Sequence, residues 1–286
     1  MNKSKALLFG LNYSYSSCKL NGCINDINYM NEFIRNKLNI PTEIYTDDIN
    51  LYDTSYDGFL NIIRRTAYES HIYDLDFVWI HYSGHGSNKT DLNGDEKDNK
   101  DEGLVPSDYE EKGIIIDDIL NDIFSSFNPK TKILFICDAC HSGTIIDLKY
   151  TWDDNIGKID NNYCKILNKM ILISGCRDDQ TSADSFGLMG DNKSCGALTS
   201  SFLNVLNTNP HLIYDIFNLN IEINKKLKSE GFTQCSQIRS TYNLLEDKSL
   251  LLYQPTPPIQ YYYYQPPQQQ PIQYYYYQQP IQYYYQ

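Results

Sequence analysis

No stretch of this sequence approaches the roughly 18 consecutive apolar residues that a membrane span needs, and the short run Ala6 to Leu11 continues into polar residues without a cleavage site. The expectation is an intracellular, cytoplasmic protein with no membrane partner. Positive charge is scarce: 24 Lys and Arg stand against 36 Asp and Glu, a net charge of -12. Twelve of those acids, against three lysines, fall between Asp91 and Asp122. Such a surface repels a nucleic-acid backbone and attracts cations or basic peptides, so no nucleic-acid partner is expected. Eight cysteines are too few for a disulfide scaffold of this length, and several lie in apolar runs, as free thiols in reducing compartments do.

What is present is enough apolar residue over the first 250 positions for a sizeable core, with a periodicity that alternates. Lys5 to Asn12 reads as a buried strand, and Cys23 to Leu38 carries Ile24, Ile27, Met30, Phe33, Ile34 and Leu38 at helical spacing. Thr42 to Thr46, Phe77 to Tyr82, Ile133 to Cys137 and Met170 to Ser174 read as strands; Tyr56 to Ile72, Gly196 to Leu206 and Leu212 to Leu227 read as helices. Continuous apolar strands alternating with helices predict an α/β fold, a mostly parallel sheet covered on both faces. Asn88 to Gly113 is too polar for a core and reads as one long loop before a strand at Gly113 to Ile116. From Gln254 an imperfect repeat, PIQYYYYQ, holds 11 of the 26 tyrosines and almost nothing aliphatic, which reads as a disordered tail beside a monomeric core, either a solvated linker-like segment or a self-associating one.

Two of the strands run into chemistry-bearing loops, Ser83-Gly84-His85-Gly86 and Asp138-Ala139-Cys140-His141-Ser142-Gly143. Loops at the carboxyl ends of parallel strands share one working edge. A thiol there needs a base, and imidazole is the side chain best matched in pKa. His71 lies in an amphipathic helix, His81 inside a strand, His211 in a loop after proline, and His141 is adjacent to Cys140, from which its side chain diverges. His85, between two glycines, is favoured. The competing readings are a redox or zinc pair at Cys137-x-x-Cys140, for which no second Cys-x-x-Cys exists, and a scaffold acting through the tail.

The segments HYSGHG (81–86), DACHSG (138–143), LNGCINDINYM (20–30), SGCRDDQTSAD (174–184) and GALTSSF (196–202) resemble, in order and spacing, the type I-like metacaspases, caspase-like cysteine peptidases. The resemblance spans about Lys5 to Leu252 and implies a caspase-hemoglobinase-like fold, with a large-subunit-like part to about residue 150 and a small-subunit-like part from about 168. It implies Cys140 as nucleophile, His85 as general base, and the amides of Gly86 and Cys140 as oxyanion hole. It also implies a substrate pocket lined by Cys23, Asp26, Ser83 and Asp138, whose carboxylates would favour Arg or Lys before the scissile bond of a protein or peptide. On residues alone, Asp26 reads as an exposed first-turn residue of its helix. Calcium, as an activator rather than a catalytic cofactor, would be held by Asp101, Asp117, Asp118 and Asp147, two of which also read as the start of a helix. The stretch from Asp91 to Asp95 looks faintly like a calcium loop but has Glu96 where an EF-hand needs glycine. Self-cleavage in the linker from Thr144 to Lys169 would fall at Lys149, Lys158 or Lys165.

Overall fold

In chain order the elements are β1 (Ser4–Gly10), α1 (Cys23–Phe33) with a π-helical turn at Ile34–Leu38, β2 (Thr42–Thr46), α2 (Tyr56–Ile72), β3 (Phe77–Ser83), β4 (Gly86–Thr90), β5 (Lys100–Leu104), α3 (Tyr109–Lys112), β6 (Ile115–Ile116), α4 (Asp117–Ser125) and β7 (Lys132–Asp138). There follow β8 (Tyr150–Asp153), β9 (Ile156–Ile159), β10 (Met170–Ser174), β11 (Asp184–Phe186), β12 (Ser194–Gly196), α5 (Ala197–Thr208), a 3-10 turn at Pro210–Tyr214, α6 (Ile216–Ser229) and β13 (Gln237–Ser240). This computed structural model describes residues 3–90, 100–140, 145–153, 155–161, 164–175 and 184–252. The Tyr/Gln/Pro repeats therefore lie outside the described residues.

The main sheet has eight strands in the order β2-β1-β3-β7-β10-β13-β8-β9. Its first five are parallel to their neighbours, and the last three are added antiparallel. The strands β3, β7 and β10 are buried along their whole length, as continuous apolar runs require when both faces are covered. Side chains alternate between faces, so Val78, Ile80, Tyr82, Phe135 and Cys137 enter the core shared with α2 and α4. Trp79, Leu134 and Ile136 enter the core shared with α1, α5 and α6. Cys137 is fully buried and faces away from its sequence neighbour Asp138, which fits a packed apolar residue rather than half of a Cys-x-x-Cys centre.

Three readings of the sequence are corrected. The polar region expected to be one long loop contains an antiparallel three-stranded sheet in the order β4-β5-β6, and only 91–99 within it lies outside the described residues. Its strands carry Ser-Asn-Lys-Thr and Lys-Asp-Glu-Gly, whose pairing is made by the backbone with little apolar alternation to announce it. The expected linker between the two halves forms the β8–β9 hairpin at the edge of the main sheet. The helix expected from Leu212 breaks at Asp215, whose carboxylate accepts the amide of Asn218 at 3.2 Å and caps α6.

Candidate active site

The last register pair between β3 and β7 is Ser83 with Asp138. Beyond it the Gly84 amide still donates to the Asp138 carbonyl at 3.3 Å, so the two chains leave the sheet together. His85 lies two residues past Ser83 and Cys140 two residues past Asp138, the same offset on neighbouring parallel strands. Gly86 shows how closely these loops meet: a Cβ placed there would stand 1.9 Å from the Cys140 carbonyl oxygen and 3.3 Å from the Ala139 methyl. Only glycine lets the backbones approach this far.

The His85 main chain is held by two buried tyrosines. Its amide donates to Tyr13 Oη at 3.0 Å, and its carbonyl accepts from Tyr82 Oη at 2.9 Å. Burial raises both phenols well above their ordinary pKa, so they remain hydrogen-bond donors at any physiological pH. The imidazole lies against the Tyr13 ring, centroids 4.8 Å apart. Its Nε2 is 2.6 Å from the Cys18 carbonyl oxygen. A carbonyl can only accept, so Nε2 carries the proton and Nδ1 is left as the basic nitrogen. Cys140 is half-buried.

On the α1/α5 side of the same strand ends, two carboxylates converge. Asp26, on the first turn of α1, is fully buried, which overturns the reading of an exposed residue that merely answers the helix dipole. It accepts from Ser83 Oγ at 2.7 Å and from the Gly196 amide at 2.9 and 3.0 Å to its two oxygens. Asp138, 3 % exposed, accepts from the Thr199 amide and hydroxyl, both at 2.8 Å. A Cβ on Gly196 would lie 2.3 Å from Asp138 Oδ2 and 2.8 Å from Asp26 Oδ2, so the two acids face each other across that glycine. Cys23, one turn before Asp26 on α1, is buried beside them.

The acidic region forms a second cluster. Asp101, Glu102 and Asp117 are buried, Asp147 is half-buried and Asp118 is exposed. Asp117 accepts the Glu102 amide at 3.2 Å and the Asp118 amide at 2.8 Å. Burial, followed by the charges of Asp147, Glu102 and Asp101, pushes the Asp117 carboxyl up to about 8 against the opposing effect of the Asp118 amide. Lys89 reaches Asp101 at 3.8 Å. Among the described residues, no three His, Cys, Asp or Glu side chains are already gathered at ligating separation.

The structure brings the His85 and Cys140 loops into backbone contact and sets Asp26, Ser83 and Asp138 together beside Gly196, with Cys23 buried on the same helix as Asp26. It adds Cys18, Tyr13, Gly196, Thr199 and Glu102, which the sequence reading passed over. Glu102 had a signal: it is the twelfth position counted from Asp91, where an EF-hand places its bidentate glutamate. The Cys18 carbonyl had none, because a main-chain acceptor has no residue type. His141, Ser142 and Gly143 of the DACHSG segment, residues 176–183 of SGCRDDQTSAD, and Asp91, Asn93 and Asp95 lie outside the described residues.

The family described as metacaspase, peptidase C14 domain, matches residues 4–149. Metacaspase-1 of Arabidopsis thaliana is 34% identical over 222 residues, covering 71% of this chain and 59% of the relative, so this chain spans less than two thirds of that protein. Metacaspase-2 of Trypanosoma brucei brucei is 31% identical over 269 residues, covering 87% of this chain and 76% of the relative. Among solved structures, protein GSU0716 from Geobacter sulfurreducens superimposes with a TM-score of 0.60 at 22% identity over 83% of this chain and 92% of the other, a likeness of fold. With its domain match and its relatives above 30% identity over most of its length, this chain belongs to the metacaspase family.

Proposed function

We propose that this chain is a cysteine-type endopeptidase that cuts protein substrates after Arg or Lys. The observation that supports the specificity is the pair of buried carboxylates, Asp26 and Asp138, meeting across Gly196 beside the Cys140 loop. Two buried acids side by side carry negative charge that a guanidinium or ammonium group answers with charge-assisted hydrogen bonds.

The placement of the His85 and Cys140 loops supports the following reaction. His85 Nδ1 takes the Cys140 thiol proton while the Cys18 carbonyl holds Nε2–H and stabilises the imidazolium. The thiolate attacks the scissile carbonyl carbon, and the resulting oxyanion is received by the Gly86 and Cys140 amides. Collapse breaks the C–N bond, with the His85 proton passing to the leaving amine. Water, deprotonated by His85, then attacks the thioester and releases the acid and the free thiol. Profiling a peptide library with the protein and with Cys140→Ala tests the reading. Cleavage after Arg and Lys that vanishes in the variant is expected; cleavage after Asp, or activity surviving in the variant, would refute it.

Calcium fits the second cluster. Asp101, Asp117 and Asp147, joined by Glu102, supply hard oxygen donors whose mutual repulsion a divalent cation would relieve, and Asp118 stands beside them at the surface. Bound there, the ion would order the β4–β6 sheet, which follows directly on His85 and Gly86. Melting of the Cys140→Ala protein is expected to rise in millimolar calcium and to stop responding in Asp117→Asn; equal melting with chelator and with calcium would remove this part. Self-cleavage would fall at Lys149, Lys158 or Lys165, of which Lys158 lies on the exposed edge strand β9. The active protein should then run as two fragments and Cys140→Ala as one.

A further inference from the structure

We infer that Thr199 and His81 are positioning residues for the specificity carboxylate: Thr199 holds Asp138 by its amide and its hydroxyl, and His81 orients that hydroxyl. The inference rests on the reading of Asp138 as the acid that receives the substrate's basic side chain.

Thr199 is the third residue of α5, so its amide is one of the donors that a helix leaves without an internal partner. Asp138 reaches it from another element, and the helix start favours the carboxylate in its charged form. The Thr199 hydroxyl adds a second bond to the same oxygen, Oδ2, at 2.8 Å. A hydroxyl has one hydrogen and can point it at only one acceptor. His81 decides where it points.

His81 sits on β3 two residues before Ser83, on the same face as Trp79, and is fully buried. Its Nε2 is 3.2 Å from Thr199 Oγ1. Burial pulls its pKa down to about 3, so the ring is neutral and one nitrogen is protonated. With the Thr199 hydrogen committed to Asp138, Nε2 must be the donor. The opposite tautomer would draw the hydroxyl away from Asp138. This tautomer leaves Nδ1 buried with no hydrogen-bond partner. An apolar residue would fill the site without that orphaned atom, so packing alone gives no reason for a histidine here. Orientation of Thr199 gives one.

The competing account is that Asp138 only caps α5 and that His81 and Thr199 serve stability. Steady-state kinetics on paired Arg-peptide and uncharged-peptide reporters separates the two, with thermal melting and the rate of Cys140 alkylation by iodoacetamide measured alongside. Thr199→Val removes the hydroxyl and keeps the amide and the shape. It should raise KM for the Arg peptide about tenfold, the weight of a hydrogen bond to a charged group, and shrink the Arg preference, with alkylation nearly unchanged. Thr199→Ser should recover the KM. His81→Gln, whose amide can still donate, should lie closer to the unaltered protein than His81→Leu. If Thr199→Val and His81→Leu fold and keep KM and Arg preference within twofold, or if only melting falls, the inference is overturned. Asp138→Asn separates the underlying reading: if it leaves Arg cleavage unchanged, the specificity assignment itself fails. If it abolishes Arg preference while Thr199→Val does not alter it, the relay alone fails.

Discussion

Replacing Gly86 by alanine would set a methyl carbon 1.9 Å from the Cys140 carbonyl oxygen and 3.1 Å from its carbonyl carbon. Both atoms are backbone, so no side chain can swing aside. Bringing the first contact to 3.0 Å, the lower limit of real Cβ contacts, requires the two loops to part by about 1.1 Å (3.0 less 1.9). In the proposed mechanism these loops carry the base and the nucleophile, and a displacement of that size in reacting groups costs about a hundredfold in rate, or roughly 2.7 kcal/mol of transition-state stabilisation. The loss should appear in kcat for an Arg-peptide reporter. It should also appear as slower alkylation of Cys140 at neutral pH, because a base held farther away makes less thiolate. The global fold should hold, since Gly86 opens β4 rather than contributing to either core, and thermal melting checks this. A Gly86→Ala protein with unaltered melting and kcat within threefold of the original would refute the argument that these two backbones must touch.

Other perturbations act on separate links. Ser83→Ala removes the hydroxyl that donates to Asp26 at 2.7 Å and should raise KM for Arg substrates about five- to tenfold with little change in kcat; an unchanged KM would deny Asp26 a role in binding. Phe202 is fully buried, edge-on to Trp79 with centroids 6.0 Å apart, so Phe202→Ala should destabilise by about 3–5 kcal/mol in a urea titration, and a loss under about 1 kcal/mol would show the site collapses freely. Asp247 accepts from Lys132 and Lys169, each at 3.1 Å. Burial works to raise its pKa, but the two lysines outweigh that and hold it below the ordinary carboxylate value, whereas Lys132, far more buried, is pulled down by desolvation despite the pairing. A depressed carboxylate stabilises above its unfolded pKa of about 3.9 and loses that contribution as pH falls through the folded value. The difference in melting temperature between the protein and Asp247→Asn should therefore be largest near neutrality and shrink below about pH 4; a constant difference would contradict the pairing.

The parallel half of the sheet was legible because strands buried on both faces write themselves as unbroken apolar runs: Phe77 to Tyr82, Ile133 to Cys137, Met170 to Ser174. The antiparallel extension was not. β13 is Gln-Ile-Arg-Ser, with Arg239 buried against Asp160 at 3.0 Å, and β8 and β9 are four residues each, too short for alternation to stand out. The candidate dyad could be reached from strand ends and elimination among histidines. The pocket could not be reached from residue types alone, because an aspartate in a first helical turn always has a local explanation. The approach of Ser83 and Gly196 from other parts of the chain is what makes Asp26 a buried acid. The relay through Thr199 was hidden for a similar reason: a histidine inside an apolar strand reads as packed, which is correct, and its partner stands 118 residues away.

The pairing of Ser83 with Asp138 is a single register choice, yet the dyad loops and both sides of the acidic pocket are measured from it. One residue inserted into or deleted from β7 would exchange the faces of Cys137 and Asp138 and carry Cys140 to a new offset in the same stroke. On the proposed function, reactivity and selectivity are therefore geared to one mechanical reference. Side-chain replacement within the pocket can retune which residue is accepted, but any change in strand length alters acceptance and chemistry together.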